Sequence, residues 1–214
     1  MNTTLKWIVV RIDGKIAAIS SDYRQLARIS SHIVRKSSEK TGGNSIQDVP
    51  YNEITATTVT WDEIWRLRKE TEWNDLLLFG TDFQKKVWKK IWELTHPSAT
   101  PAEADTHQNT NGPASRLISY SDFAELCQNR SGVRAVAHAI GLNPVAVIVP
   151  CHLIVPKESI DKIRRINKKA EATIFKGDDL CINSILSDSS IDFGEYSYGR
   201  NLKRELIIKE LTGF

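Results

Sequence analysis

The sequence predicts a mixed α/β (α+β) protein in two parts, a small α/β domain over residues 1–79 and a mainly helical domain over residues 80–214. Three observations carry this expectation. Strand-like and helix-like segments alternate through the first part, the pattern turns helical at Gly80, and two short helical segments flank a tight turn between Ser121 and Ile140. At 214 residues with 41% hydrophobic content, the chain can bury a core in one large or two small domains.

Two apolar runs, Leu5–Ile12 and Ile16–Ile19, flank Asp13-Gly14-Lys15 and read as a β-hairpin. Ser21-Asp22 then caps a helix reaching about Lys36, in which Leu26, Ile29, Ile33 and Val34 recur at helical spacing, until Lys40–Asn44 breaks it. Residues Ile54–Trp61 are rich in β-branched side chains and form a strand, followed by a short helix over Asp62–Lys69. In the second part, Thr81 and Gln84 frame a capping box, and Phe83, Val87, Trp88, Ile91 and Leu94 make one apolar helix face.

The polar stretch 97–117 has too little hydrophobicity to offset the entropy of ordering it and is expected to be a mobile loop. Ser121 or Asp122 caps a helix through Cys127, Asn129–Gly132 turns, and Val133–Ile140 forms a second helix stopped by Gly141 and Pro144. That is helix-turn-helix spacing, although two packed helices also produce it without DNA. Residues 157–192 carry a basic run, Lys162, Arg164, Arg165, Lys168 and Lys169, then the polar run Ser184–Asp192, and read as an inserted surface segment. A helix over Gly199–Leu211 closes the chain.

No run of eighteen apolar residues occurs and the first apolar run is too short for a signal sequence, so a cytoplasmic protein without membrane contact is expected. Cys127, Cys151 and Cys181 lack CxxC spacing, so reduced thiols are the default. With His32, His96, His107 and His138 also lacking ligand spacing, no metal site is implied. The net charge of +3 permits DNA binding without arguing for it.

The chemistry-bearing string is Asn143-Pro-Val-Ala-Val-Ile-Val-Pro-Cys-His152. Cys151 follows a buried run and is either a core residue or a nucleophile. An ordinary thiol has a pKa of about 8.5 and needs a nearby base, which His152 can supply. Side chains of neighbouring residues on an extended backbone diverge, so a relay through water suits this pair better than direct contact.

Three separated strings resemble the O6-alkylguanine-DNA alkyltransferase family. They are Gly80-Thr-Asp-Phe-Gln-Lys-Lys-Val-Trp88, then Ser119-Tyr120 with Phe123-Ala124, then Arg134-Ala-Val136 with Asn143-Pro144 and Pro150-Cys-His152. Tyr196-Ser-Tyr-Gly199 through Lys203-Arg204 to Glu210 resembles the family's closing segment. The resemblance covers most of residues 80–214. It implies a ribonuclease-H-like first domain and a winged-helix-like second domain with a helix-turn-helix.

It also implies a stoichiometric reaction in which Cys151 takes the alkyl group from O6-alkylguanine, and from O4-alkylthymine, in DNA and keeps it. A polarizable thiolate suits displacement at an alkyl carbon held in line by a flipped base. By the same resemblance, His152 and Glu210 form the water-linked relay that draws the proton from Cys151. Tyr120 supports the departing guanine, and Asn143 braces the recognition helix against an active-site strand. Arg134 fills the stack where the flipped base was, and Val133, Ala135, Ser121 and Tyr120 complete the DNA contacts. Val149, Pro150, Tyr196 and Ser197 line the base pocket. The implied partner is double-stranded DNA bound through its minor groove by a monomer, without a cofactor. No methylphosphotriester-sensing domain is expected.

Taken singly, these residues have ordinary readings: Tyr120 as core, Arg134 and Glu210 as solvated charges, Asn143 as a helix stop. The sequence also departs from the family. Leu153 stands where an arginine usually follows Cys-His, His138 replaces a small residue on the recognition helix, and the segment after Pro156 is inserted. The alternative functions are an alkyltransferase-like protein that flips alkylguanine without reacting, and a Cys-His hydrolase or redox sensor.

Overall fold

A computed structural model describes residues 5–41, 53–96, 117–171, 185 and 188–212, without the side chains of 32–34, 36–41 and 167–171. The expected mobile loop lies outside the described residues apart from Leu117, as do Cys181 and the glycines 42–43. Among the described residues the class is mixed α/β, with two small sheets and mostly helices, as the sequence predicts. Packing divides the chain into two compact units, Met1–Trp92 with His138–Cys151, and Glu93–Ala137 with His152–Phe214.

The first unit is built on a three-stranded antiparallel sheet in the order β2-β1-β3, from β1 (Trp7–Ile12), β2 (Lys15–Ser20) and β3 (Ile54–Val59). The hairpin turns through Asp13 and Gly14, both at positive φ (48° and 79°), the geometry for which Asp-Gly is selected. Helix α1 (Tyr23–Thr41) runs about a turn beyond its expected end. Helix α2 (Trp61–Glu70) begins at a capping box: the Glu63 carboxylate accepts from the Thr60 amide at 2.7 Å, and Thr60 Oγ1 accepts from the Glu63 amide at 3.3 Å. Helix α3 (Asp82–Glu93) has the expected box, with Thr81 and Gln84 exchanging bonds of 2.8 and 3.2 Å. Val87, Trp88 and Ile91 are buried, but Phe83 at the expected face is 37% exposed.

Strand β2 is buried from Ile16 to Ser20, and its outer edge is covered at two points. The Leu77 amide donates to Ile16 O at 2.9 Å, and the Ile19 amide donates to Pro144 O at 2.8 Å. This second bond fixes the start of the segment leading to Cys151.

In the second unit, the strands β4 (Ile118–Ser119) and β5 (Ile154–Val155) pair in parallel. Helix α4 (Tyr120–Leu126) follows at once. Its cap is Ser119, not Ser121 or Asp122: Ser119 has extended backbone (φ −76°, ψ 154°), and its Oγ accepts from the Asp122 amide at 3.1 Å. A single 3-10 turn, Arg130–Gly132, leads into α5 (Val133–Gly141), as the spacing predicts.

The segment after Pro156 is no surface loop at its start. It forms a fifteen-residue helix, α6 (Lys157–Glu171), whose Ile160 and Ile163 enter a core with Leu117, Leu153, Val155, Ile185, Ile191, Phe193, Ile207 and Leu211. Isoleucines three apart on a highly charged helix are enough to bury one face, which average hydrophobicity conceals. Ser159 and Lys162 donate to the carbonyls of Asp192 and Ser190, tying α6 to residues 188–193. Helix α7 (Arg200–Thr212) closes the unit. Among the described residues no helix is long and apolar enough to cross a membrane.

Candidate functional site

The thiol of Cys151 belongs to the first unit and is 5% exposed. Its setting starts at α3, where the Trp88 indole donates to Ala139 O at 2.8 Å and anchors the end of α5. Asn143, two residues beyond α5, is buried and saturated with internal bonds. Its Nδ2 donates to Val149 O at 2.8 Å and to Cys151 Sγ at 3.1 Å, and its Oδ1 accepts from the Val145 amide at 3.1 Å. One side chain thus closes the loop 143–151 on itself and presents a donor to the sulfur, which favours the charged form of a thiol.

The expected active-site strand is absent. Val145 makes one bridge to Ile19, after which the Val149 amide bonds back to Val145 O at 3.0 Å, and Cys151–Leu153 forms a 3-10 turn. Inside the loop Val147 sits at φ 71°, a left-handed conformation costly for a β-branched side chain and held only because its surroundings fix it. An apolar run bounded by prolines imitates a strand, so periodicity could not distinguish the two.

His152 and Glu210 belong to the second unit. The imidazole Nε2 lies 2.9 Å from Glu210 Oε1, with both side chains almost fully buried. Such a pair fixes the ring's orientation and stabilises it when it takes up a proton. Glu210 is therefore not a solvated charge. About two turns earlier along α7, Lys203 is fully buried, and its Nζ donates to Ile154 O at 2.7 Å, to Tyr120 Oη at 3.4 Å and to Glu195 O at 3.4 Å. The ammonium also lies 5.6 Å from the centre of the Tyr120 ring. Buried ammonium groups are expensive unless bonded in this way, and here two carbonyls and one phenol share the bonding. Lys203 appeared in the sequence only within a matching string; a lysine amid α7's apolar positions was the available signal.

Residues 110–172 match the family model described as the 6-O-methylguanine DNA methyltransferase DNA-binding domain. Over that stretch the chain resembles the O6-methylguanine DNA methyltransferases. It is 42% identical over 85 residues to a probable methylated-DNA–protein-cysteine methyltransferase of Acanthamoeba polyphaga mimivirus, covering 40% of this chain and 45% of that one. It is 33% identical over 78 residues to the methylated-DNA–protein-cysteine methyltransferase of Saccharomyces cerevisiae, covering 36% and 32%. The crystal structure of Mycobacterium tuberculosis OGT in complex with DNA aligns with a TM-score of 0.36 and 27% identity, covering 64% of this chain and 53% of that one. The chain thus spans less than half the length of these curated relatives.

Tyr120 is half-buried at the first turn of α4, and Ser121 is exposed beside it, its Oγ 2.9 Å from that of Ser119. Along α5, Arg134, Ala135 and His138 are exposed, Val133 is partly so, and Val136, Ala139 and Ile140 are buried. Val149 and Pro150 are buried in the loop closed by Asn143. Tyr196 is half-buried with its ring 5.4 Å from that of Tyr198, and Ser197 is exposed. The loop carrying them is hinged on an exposed charge cluster. Arg200 bonds Glu195 and lies 3.4 Å from Asp192. The hydrogen bond from Arg200, then its charge, holds the Glu195 carboxyl below the usual range.

Leu153, in place of the family's usual arginine, is fully buried in the second unit's core. Apolar packing anchors this position. Among the described residues no group of three or more His, Cys, Asp or Glu side chains is placed to hold a metal.

Proposed function

We propose that this protein repairs DNA by transferring the alkyl group of O6-alkylguanine, and of O4-alkylthymine, irreversibly to Cys151. The observation that best supports this reading is the Asn143 amide 3.1 Å from the Cys151 sulfur, in a loop that the same side chain closes. In the proposed reaction, the thiol proton passes by way of water to His152, whose ring Glu210 orients. The sulfur forms a bond to the alkyl carbon as the carbon–O6 bond breaks, and that electron pair remains on the guanine. Tyr120, next to Lys203, supports the departing base. Arg134, with Val133, Ala135 and Ser121, enters the minor groove of a duplex bound by one monomer, and Tyr196 and Ser197 with Val149 and Pro150 enclose the flipped base. The proposed organisation keeps residues 1–79 as a supporting domain and residues 80–214 as the alkyltransferase domain.

The test is intact mass after incubation with a duplex containing O6-methylguanine. The expected result is a gain of one methyl group, located on Cys151 and lost in Cys151→Ala. Tight binding without a mass change would replace this reading with that of a non-reacting lesion binder, and absence of both would end both DNA readings.

A further inference from the structure

We infer that the exposed face of helix α6 binds the phosphate backbone of duplex DNA and supplies most of the protein's electrostatic attraction to it. The inference rests on the DNA reading above. It starts from where the charge lies. Helix α6 holds six Lys or Arg against three Asp or Glu, a net of three, which equals the formal charge of the whole chain. The rest of the sequence is therefore balanced. The helix-turn-helix itself, Ile118–Gly141, sets Arg130 and Arg134 against Asp122 and Glu125 and is neutral with His138 uncharged. Binding a polyanion needs cations that release its counterions, and the helix-turn-helix has few to offer.

The placement fits the charge. Ile160 and Ile163 bury one side of α6, with Ile166 partly buried beside them. Lys157, Arg164 and Arg165 are exposed, Arg165 opposite the isoleucines and Lys157 and Arg164 to one side of them, and the sequence continues the run with Lys168 and Lys169. Glu158 and Asp161 share this arc and offset part of its charge, but the basic residues outnumber them, and the 3.8 Å contact of Arg164, its side chain 70% exposed, with Asp161 is worth little in water. Lys162 turns inward to Ser190 O, and Ser159 to Asp192 O, so the helix is fixed at its first turns. Helix α6 also packs on β4, whose last residue, Ser119, caps the first helix of the helix-turn-helix. The basic helix is thereby held against the strand that leads into α4, where backbone contacts can position a duplex without reading its sequence.

The test is the salt dependence of binding to an undamaged duplex, followed by fluorescence anisotropy between 50 and 200 mM salt. Each phosphate contact contributes about 0.9 to the slope of log K against log salt, so Lys157→Gln, Arg164→Gln and Arg165→Gln together should flatten it by about 2.7. Arg165→Gln alone should flatten it by about 0.9 and serves if the triple variant melts early. Reaction with free O6-benzylguanine should be unchanged in both. An unchanged slope would overturn the inference, as would an equal loss on neutralising Lys85, Lys86 and Lys89, which are exposed on α3. If the unsubstituted protein ignores O6-benzylguanine and O6-methylguanine alike, the repair reading fails, while the slopes on undamaged DNA still decide the role of α6.

Discussion

Replacing Lys203 by methionine tests whether this buried ammonium acts through Tyr120. The substitution keeps most of the volume and removes three donors, of which the 2.7 Å bond to Ile154 O is strong and the two at 3.4 Å are weak. Losing the short charged bond costs about 1.5–3 kcal/mol. Relief of the ammonium's desolvation offsets part of this, so a net loss of about 1 kcal/mol in unfolding free energy is expected. The kinetic effect is separable. A positioned proton donor contributes about 10² or more to rate, so Tyr120→Phe should slow alkyl transfer about a hundredfold. Lys203→Met, acting only through the weak contact with Tyr120, should slow it about tenfold, or about 1.4 kcal/mol. The assay is a double-mutant cycle on single-turnover reaction with O6-benzylguanine, with folding checked by urea unfolding. Because the contact is shared, the double variant should be no slower than Tyr120→Phe, a coupling of about 1.4 kcal/mol. Losses that multiply to about a thousandfold would refute the connection and leave Lys203 a purely structural residue.

Three further outcomes are expected. Glu210→Ala leaves the His152 imidazole buried without its 2.9 Å partner and should cost about 3–5 kcal/mol in urea unfolding, whereas Glu210→Gln, which retains an acceptor, should cost clearly less; equal costs would contradict the pairing. Gly80→Ala places a methyl group 2.6 Å from the Trp88 ring, and Trp88 is held by Ala139 O, so an overpacking loss of about 1–3 kcal/mol should appear as a lowered Tm. The Glu63 carboxyl is held below its usual range chiefly by the hydrogen bond from the Thr60 backbone amide and then by its hydroxyl. Its folded value is the depressed one, so its stabilisation is present above the unfolded pKa and is lost as pH falls through the folded value. Glu63→Gln should therefore flatten the acid limb of a stability-against-pH curve, and an unaltered limb would remove Glu63 from that account.

The hairpin was legible because Asp13-Gly14 demands two positive φ angles that few other pairs accept, and α3 because Thr81 and Gln84 mark its start. The partners of Cys151 were legible only through family strings, since nothing local in the sequence says that Asn143 bonds the sulfur or that Glu210 meets His152 58 residues away. Two elements were misread for physical reasons. The Val145–Val149 run has the composition of a buried strand, but Asn143 closes it into a turn. Helix α6 has the composition of a solvated loop, but two isoleucines one turn apart suffice to seat it in a core. Leu153 stood out in the sequence only as a lost arginine, because the sequence shows which charge is lost and not which apolar surface replaces it.

The bracket around Asn143 has an evolutionary consequence. A single amide holds the loop shut and also addresses the Cys151 sulfur, so its donors have no spare capacity to be redistributed. Asn143→Asp would turn a donor into an acceptor facing Val149 O, and Asn143→Ala would strand the buried Val145 amide. Position 143 therefore cannot drift toward a more reactive sulfur without loosening the fold, nor toward a tighter fold without changing the sulfur. Any change in the setting of the Cys151 sulfur must therefore come from positions other than 143.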